Sequence, residues 1–210
     1  MDYNEKQLQI LKIAEKLFAL HGFNGTSVRD IAREADVNVA MISYYFGSKE
    51  KLLEAIFERR AETVKLEIEN MLNNKSLGPL EKIYHLIDTF IEKVISQQDY
   101  YKLMTSLQVT ETEGSIMECI NASKQRNHGL IKKLVQEGQK SGVFKRNIDV
   151  PLMMVTLFGT ANQLVSTQKF YRNICNLEQL SEEEFQKHLK KKLSHHLKDL
   201  FKAILTNEEQ

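Results

Sequence analysis

Prolines and glycines are scarce in this chain, and their scarcity limits the fold more than any other feature of the sequence. The 210 residues contain two prolines and nine glycines. A β-sandwich or β-barrel needs turns at short, regular intervals, and such turns depend largely on these two residue types. The alternation of apolar and polar residues that marks strands is absent, and so is any repeat with a fixed period of about 20–50 residues. The sequence therefore predicts an all-α protein.

Composition and charge are those of an ordinary folded chain. Hydrophobic residues make up 42% and charged residues 27%, which argues against a disordered or fibrous protein. The net charge of +1 excludes a polybasic tail. The two cysteines, Cys119 and Cys175, fit neither a disulfide framework nor a zinc site. The first residues lack a signal pattern, and no apolar stretch reaches the roughly 18–20 residues of a membrane span. We expect a cytoplasmic protein that makes no contact with a membrane.

Apolar residues at helical spacing, together with capping residues, divide the chain into helices. The first helix is predicted to end at His21, where a glycine follows. Ser27 and Asn38 cap two short helices on either side of a tight turn, and Ser48 caps a longer helix that runs to about Leu72. Five more helices are predicted near residues 79–97, 100–112, 115–141, 150–171 and 181–206.

The two short helices around a tight turn, over residues 27–46, form a helix-turn-helix, whose second helix presents its outer face to the major groove of DNA. Three apolar residues of that helix are predicted to face the core: Val39, Ile42 and Phe46. The opposite side of the helix is predicted to lie in solvent, and it consists of Ala40, Met41, Ser43, Tyr44 and Tyr45. Exposed tyrosines favour contact with DNA phosphates, although packing of their rings against the first helix is an alternative.

Charges around this motif cancel. The basic residues are Arg29, Arg33, Lys49 and Lys51, and they are matched by Asp30, Glu34, Asp36 and Glu50. Because there is no bulk basic patch, affinity for DNA has to come from the placement of individual groups.

Individual groups of the motif can be assigned to parts of the DNA. Arg29 is the best candidate for a contact with guanine, and Lys49 is predicted to point at the duplex. The side chains of Val39, Ala40 and Met41 can make only apolar contacts, which suit the methyl groups of thymine. The hydroxyls predicted to reach phosphates are those of Thr26, Ser27, Tyr44 and Tyr45. For each of these residues, an ordinary solvated side chain is the alternative.

Two stretches of this region, TSVRDIAREA at residues 26–35 and ISYYFGSKEKL at residues 42–52, closely resemble the N-terminal DNA-binding region of the TetR family of bacterial transcriptional regulators. The resemblance covers about residues 8–57. In that family three N-terminal helices bind DNA, the remaining helices bind a ligand and dimerise, and most members repress transcription until an effector releases them. The resemblance implies a DNA-binding domain over residues 1–47 and a helical effector-binding and dimerisation domain over residues 48–210, with about nine helices in all.

The chain departs from the family pattern at two places. Asp36-Val37-Asn38 replaces the usual Gly-Val-Ser of the turn, and aspartate and asparagine both tolerate turn conformations. Ser43 stands where a tyrosine is common, so a small hydroxyl replaces a large ring at a position that we still count among the predicted DNA contacts.

Polar residues interrupt the apolar faces of the C-terminal helices. Ser123 and Asn127 fall on the apolar stripe of the helix over 115–141, and Asn162 lies beside Phe158. Such side chains either bond to a neighbouring helix or line a cavity that receives a polar ligand atom. Methionines nearby would give the cavity a flexible apolar wall, although methionines at helical spacing usually pack in the hydrophobic core. The predicted binding residues for a small, largely apolar effector are Tyr84, Met104, Met117, Ser123, Asn127, Phe158 and Asn162.

The predicted helices over 150–171 and 181–206 carry long apolar stripes, which need burial on two sides. In the TetR family the last two helices pack against their copies in a second subunit as a four-helix bundle. We therefore expect a homodimer through these two helices, and burial within one subunit is the alternative.

No residues suggest catalysis, a metal or a cofactor. His188, His195 and His196 have no neighbouring cysteine or carboxylate that would complete a metal site. A glycine-rich phosphate loop, a nucleophile elbow and a paired histidine-glutamate motif are all missing. We expect a ligand-responsive, sequence-specific DNA-binding regulator that is not an enzyme. The alternatives are a helical ligand-binding dimer without a role in transcription, or an all-α enzyme.

Overall fold

The computed structural model describes residues 3–110 and 114–207, and these residues form ten α-helices and no strand. The all-α prediction is confirmed. The helices are α1 (Glu5–His21), α2 (Val28–Glu34), α3 (Val39–Phe46), α4 (Lys49–Asn73), α5 (Pro79–Ser96), α6 (Gln98–Thr110), α7 (Ser115–Lys140), α8 (Val150–Ser166), α9 (Gln168–Ile174) and α10 (Glu182–Leu205). Among the described residues, none of these helices is long and apolar enough to cross a membrane.

Side-chain caps set the helix starts where the sequence predicted them. The Ser27 hydroxyl accepts a hydrogen bond from the Asp30 amide at the start of α2, and the Asn38 side chain accepts one from the Ala40 amide at the start of α3. The turn between α2 and α3 contains Asp36 with φ of 48°, a left-handed conformation that aspartate tolerates. These local signals fix the helix-turn-helix.

One predicted helix is two helices in the structure. The sequence predicted a single helix over residues 150–171, but α8 ends at Ser166 and α9 begins at Gln168. Thr167 separates them with φ of −107° and ψ of 23°, and its hydroxyl donates to the Gln163 carbonyl at 2.8 Å. A threonine that bonds back to the preceding turn in this way often bends a helix. The described part of the chain thus forms ten helices instead of about nine.

The contacts divide the chain into two compact units. The first unit comprises Met1–Lys65 and Asp99–Gln125, and the second comprises Leu66–Gln98 and Arg126–Gln210. The predicted DNA-binding domain, residues 1–47, lies inside the first unit. The core of this unit is formed by apolar residues of α1, α2, α3, α4, α6 and α7, with Ile10, Ile31 and Leu52 completely buried. The division into domains at residue 48 stays a prediction.

In the second unit, α10 packs against α5 and α8. The apolar stripe of α10 is buried inside this single chain, with Leu189 and Leu197 both at 0% exposure. Polar contacts reinforce the packing, because Asp88 of α5 accepts a hydrogen bond from Ser194 of α10 at 2.6 Å. Burial of this stripe within one chain, by α5 and α8, was the alternative to its burial at a subunit interface. The homodimer through the last two helices stays a prediction.

Candidate nucleic-acid interface

The helix-turn-helix is held by side chains that point away from the predicted DNA face. Ile42 is 1% exposed and Phe46 is 9% exposed, as predicted. Val39 does not face the core, because it is 38% exposed at the very start of α3. Val37, from the turn, packs against the core instead. Because Val39 is exposed, its side chain is accessible to the edge of a base.

The outer side of α3 is largely open to solvent. Tyr44 is 85% exposed, and Ala40 and Ser43 are also exposed. Met41 and Tyr45 are half-buried. The rings of Tyr44 and Tyr45 lie 5.4 Å apart between centroids. The structure thus keeps four of the five predicted outer residues together with Val39 on one accessible face, and Tyr45 lies at its margin.

Tyr45 is at the margin because it also lines a cleft. The cleft has a volume of about 550 Å³ and lies beside the recognition helix. It is lined by Tyr3, Gln7, Tyr45, Phe46, Lys51, Glu54, Ala55 and Glu58. A contact between the Tyr45 hydroxyl and a phosphate stays a prediction.

Most basic residues of the motif already have partners within the protein. Arg33 pairs with Asp30 at 2.8 Å, and Lys51 pairs with Glu54 at 2.6 Å. The Lys49 ammonium donates to the carbonyl oxygens of Phe23 and Thr26 at 2.9 and 3.0 Å. It also lies 4.2 Å from the centre of the Phe23 ring. Lys49 therefore fastens the loop after α1, and one of its three protons is left for a phosphate.

Arg29 differs from these residues. It is exposed on α2 and forms no ion pair with any residue that the structure describes. Its guanidinium is free for an external acceptor.

Two predicted phosphate ligands are committed to the fold. Thr26 is 2% exposed, and its hydroxyl bonds to the carbonyl oxygens of Leu17 and Gly22 at 3.2 and 2.8 Å. The Ser27 hydroxyl donates to Asp30 at 2.5 Å, and the Ser27 amide donates to the same carboxylate at 3.1 Å. These bonds lower the pKa of Asp30. Neither hydroxyl has a proton to offer to DNA in this geometry, which corrects the prediction for both.

We expect Ser27→Ala to lower the free energy of unfolding by about 1 kcal/mol, because it removes an N-cap and its reciprocal bonds to Asp30. Urea denaturation followed by circular dichroism measures the change. Ser43→Ala is the matched control, since Ser43 is exposed inside α3 and caps no helix. Its effect should stay within about 0.5 kcal/mol. Equal losses for the two variants would contradict the capping role.

The sequence analysis did not identify the ion pairs and the hydrogen bond that hold the first turns of α4 in place. Glu54 is buried and accepts hydrogen bonds from Lys51 and, at 2.6 Å, from Ser115 of α7. These two bonds lower its pKa. Arg60 of α4 forms two bonds with Glu15 of α1, at 3.1 and 2.6 Å. The spacing of Lys51 and Glu54 was a visible helical signal, but partners 45 and 61 residues apart leave no trace in the sequence.

The predicted effector-binding residues are divided between the two units. Met104 and Met117 pack with the core of the first unit. Ser123 belongs to the same unit, and its hydroxyl donates to the Cys119 carbonyl at 2.9 Å. The polarity of Ser123 is therefore satisfied within α7, and it does not need a ligand atom.

The other four predicted effector residues lie in the second unit. Phe158 meets Phe90 of α5 edge-on, with 4.8 Å between ring centres. Tyr84 lies beside Lys198, whose ammonium is 5.7 Å from the ring centre. The side-chain oxygens of Asn127 and Asn162 are buried without a hydrogen-bond partner in the described part of the chain. The same is true of His128 Nε2 and Gln186 Oε1, which the sequence did not single out.

No group of three or more histidines, cysteines or carboxylates that could hold a metal ion occurs among residues 3–110 and 114–207. His195 instead pairs with Asp199, one turn further along α10, at 3.2 Å.

Comparison with known families decides between the alternatives. The family described as "Bacterial regulatory proteins, tetR family" matches residues 10–56, and the family described as "YsiA-like protein, C-terminal region" matches residues 57–193. The chain belongs to the TetR family. The enzyme alternative is thereby set aside, since TetR-family chains are transcriptional regulators.

Relatives of this TetR-family chain bear regulatory names. It is 31% identical over 135 residues to the probable HTH-type transcriptional regulator YttP of Bacillus subtilis, a match that covers 63% of this chain and 64% of YttP. It is 25% identical over 162 residues to the fatty acid metabolism regulator protein of the same organism, covering 77% of this chain and 82% of the relative.

Solved structures share the fold. The transcriptional regulator FadR from Bacillus subtilis, in complex with stearoyl-CoA, superposes with a TM-score of 0.70 at 22% identity. That alignment covers 93% of this chain and 97% of FadR.

Proposed function

We propose that this chain is a ligand-responsive repressor that binds an inverted-repeat operator as a homodimer. The observation that carries the proposal is the accessible face of α3, where Tyr44 is 85% exposed, together with the exposed guanidinium of Arg29 on α2. Tyrosine, with an apolar ring and a polar hydroxyl, is enriched at interfaces, so an exposed tyrosine on the outer face of a recognition helix suits contact with a partner. The family match over residues 10–56 supports DNA as that partner.

The proposed subunit interface is the outer face of α8. Leu152 is 63% exposed and Val155 is 64% exposed, and Gly159 lies between them and the exposed Gln163 on the same side of the helix. A β-carbon added at Gly159 would meet nothing within 4 Å. Since the stripe of α10 is covered inside the chain, this face of α8 is an apolar surface that remains available to a second copy. A two-fold axis through it would bring two α8 helices together.

The proposed effector is a long-chain fatty acyl-coenzyme A, the class of ligand named for the FadR structure. Such a molecule has an apolar tail and amide N–H groups. The buried, unpaired side-chain oxygens of Asn127 and Asn162 are acceptors for such donors. An unpaired buried acceptor costs about 1–3 kcal/mol, so a donor from a ligand would stabilise the bound form.

The regulator proposal is tested by selecting bound DNA from a random library with the full chain. We expect enrichment of an inverted repeat whose half-sites occupy successive accessible major grooves. Absence of any enriched sequence would overturn the proposal, because sequence-specific binding separates a regulator from a ligand-binding dimer without a role in transcription.

Stearoyl-CoA should lower affinity for the selected operator, and operator DNA should lower affinity for stearoyl-CoA by the same factor, about 5–150-fold. Calorimetric titration with and without DNA measures the coupling. Asn162→Leu should weaken stearoyl-CoA binding, whereas Asn147→Leu, at an exposed position, should not. Equal ligand affinity with and without DNA would show that acyl-coenzyme A is not the effector.

A further inference from the structure

The recognition helix α3 carries none of the side chains that identify bases by paired hydrogen bonds. Its eight residues are VAMISYYF. Bidentate contacts with base edges come from arginine, lysine, asparagine and glutamine, and carboxylates accept from cytosine. The preceding Asn38 is also committed, because its side-chain oxygen accepts the Ala40 amide at 2.9 Å. The first turn of α3 therefore offers a methyl-lined surface to the groove.

This methyl-lined surface is accessible where base contacts are made. In a helix-turn-helix the N-terminal residues of the recognition helix meet the base edges. In α3 these are Val39, 38% exposed, and Ala40, also exposed. The only apolar group that a base presents in the major groove is the C5-methyl of thymine. The surface therefore fits A·T pairs and gives no partner to the edges of a G·C pair.

Cations for DNA are few. Of the four basic residues between positions 26 and 51, Arg33 and Lys51 are paired with carboxylates, and Lys49 has two of its three protons on backbone carbonyls. Arg29 alone has its full set of donors available among these described residues. Because the guanidinium of Arg29 is the candidate for a base contact, the remaining Lys49 proton of each subunit gives about two charged phosphate contacts per dimer.

Resting on the proposed function, we infer that each operator half-site is rich in A·T pairs under α3, with a single G·C pair read by Arg29. We also infer that operator affinity depends only weakly on salt. Each neutralised phosphate contributes about −0.9 to the slope of log affinity against log salt, so two contacts give a slope of about −2. Hydroxyls such as that of Tyr44 add phosphate contacts without adding to this slope.

The test begins with the DNA sequences selected by the full chain. Deoxyuridine in place of thymidine removes the C5-methyl and keeps base pairing. At the positions under α3 it should lower affinity about 4-fold per methyl, and this loss should be smaller for Val39→Ala. Arg29→Ala should lose the preference at one G·C pair per half-site, about 5–150-fold in discrimination. Tyr44→Phe is the control, since it should weaken all sequences alike and leave the selected sequence unchanged.

The outcomes separate the inference from the proposed function. An enriched inverted repeat with G·C-rich half-sites under α3 would overturn the inference while the regulator proposal stands. A salt slope of about −4 or steeper, equivalent to about four or more charged phosphate contacts, would do the same. An Arg29→Ala protein with an unchanged selected sequence would remove Arg29 as the reader. Failure to enrich any inverted repeat would instead overturn the proposed function.

Discussion

Glutamate in place of Val155 is expected to turn the dimer into folded monomers and to lower operator affinity by about 100-fold or more. Val155 is 64% exposed in the single chain, so the substitution adds a carboxylate without opening a core. In the dimer, two such carboxylates would face each other across the symmetric interface, desolvated and without partners. A monomer then keeps one recognition helix on DNA and loses the gain of simultaneous binding to two half-sites. Light scattering and fluorescence anisotropy measure the two effects.

The matched control is Val109→Glu. Val109 is 77% exposed on α6, so the chemical change is the same outside the proposed interface. This variant should remain dimeric and should keep its operator affinity. A dimeric Val155→Glu protein, or a monomeric Val109→Glu protein, would show that the interface does not lie on the outer face of α8.

Leu197→Glu is expected to prevent folding of the second unit. Leu197 is 0% exposed inside the chain, and its loss alone costs about 2–5 kcal/mol as judged from truncations of buried leucines. A buried carboxylate without a partner adds several kcal/mol more. The sum is comparable to the whole stability of a typical domain, about 5–15 kcal/mol. Circular dichroism should show lost helix content and no cooperative thermal transition.

Leu66→Glu is the control for this prediction, because Leu66 is 50% exposed in α4 of the same unit. It should melt within a few degrees of the unmodified chain. A Leu197→Glu protein that is fully folded and monomeric would contradict the burial of α10 within one subunit, and it would return the interface to that helix.

The sequence predicted the features that depend on neighbouring residues. Ser27 and Asn38 cap the two helices of the motif, and Ile42 and Phe46 face the core. Each of these signals lies within one helical turn of the element that it defines. The TetR resemblance was carried by the same local residues and is confirmed.

What the sequence could not predict depends on contacts between distant residues. The Thr26 hydroxyl donates hydrogen bonds to the carbonyl oxygens of Leu17 and Gly22, which only the folded chain brings close to it. The Lys49 ammonium donates to carbonyl oxygens of the loop after α1, 26 and 23 residues earlier in the chain. An apolar stripe likewise predicts that one face of a helix is buried, but it does not predict which element covers that face. For α10 the cover is α5 and α8 of the same chain.

The central claim is that two copies of this chain together bind one inverted repeat. Sedimentation analysis of the chain on a duplex carrying the selected repeat, beside a duplex of scrambled sequence, tests it most directly. We expect two chains per repeat and an affinity about 1,000-fold or more above that for the scrambled duplex. One chain per duplex, or equal affinity for the two duplexes, would contradict it.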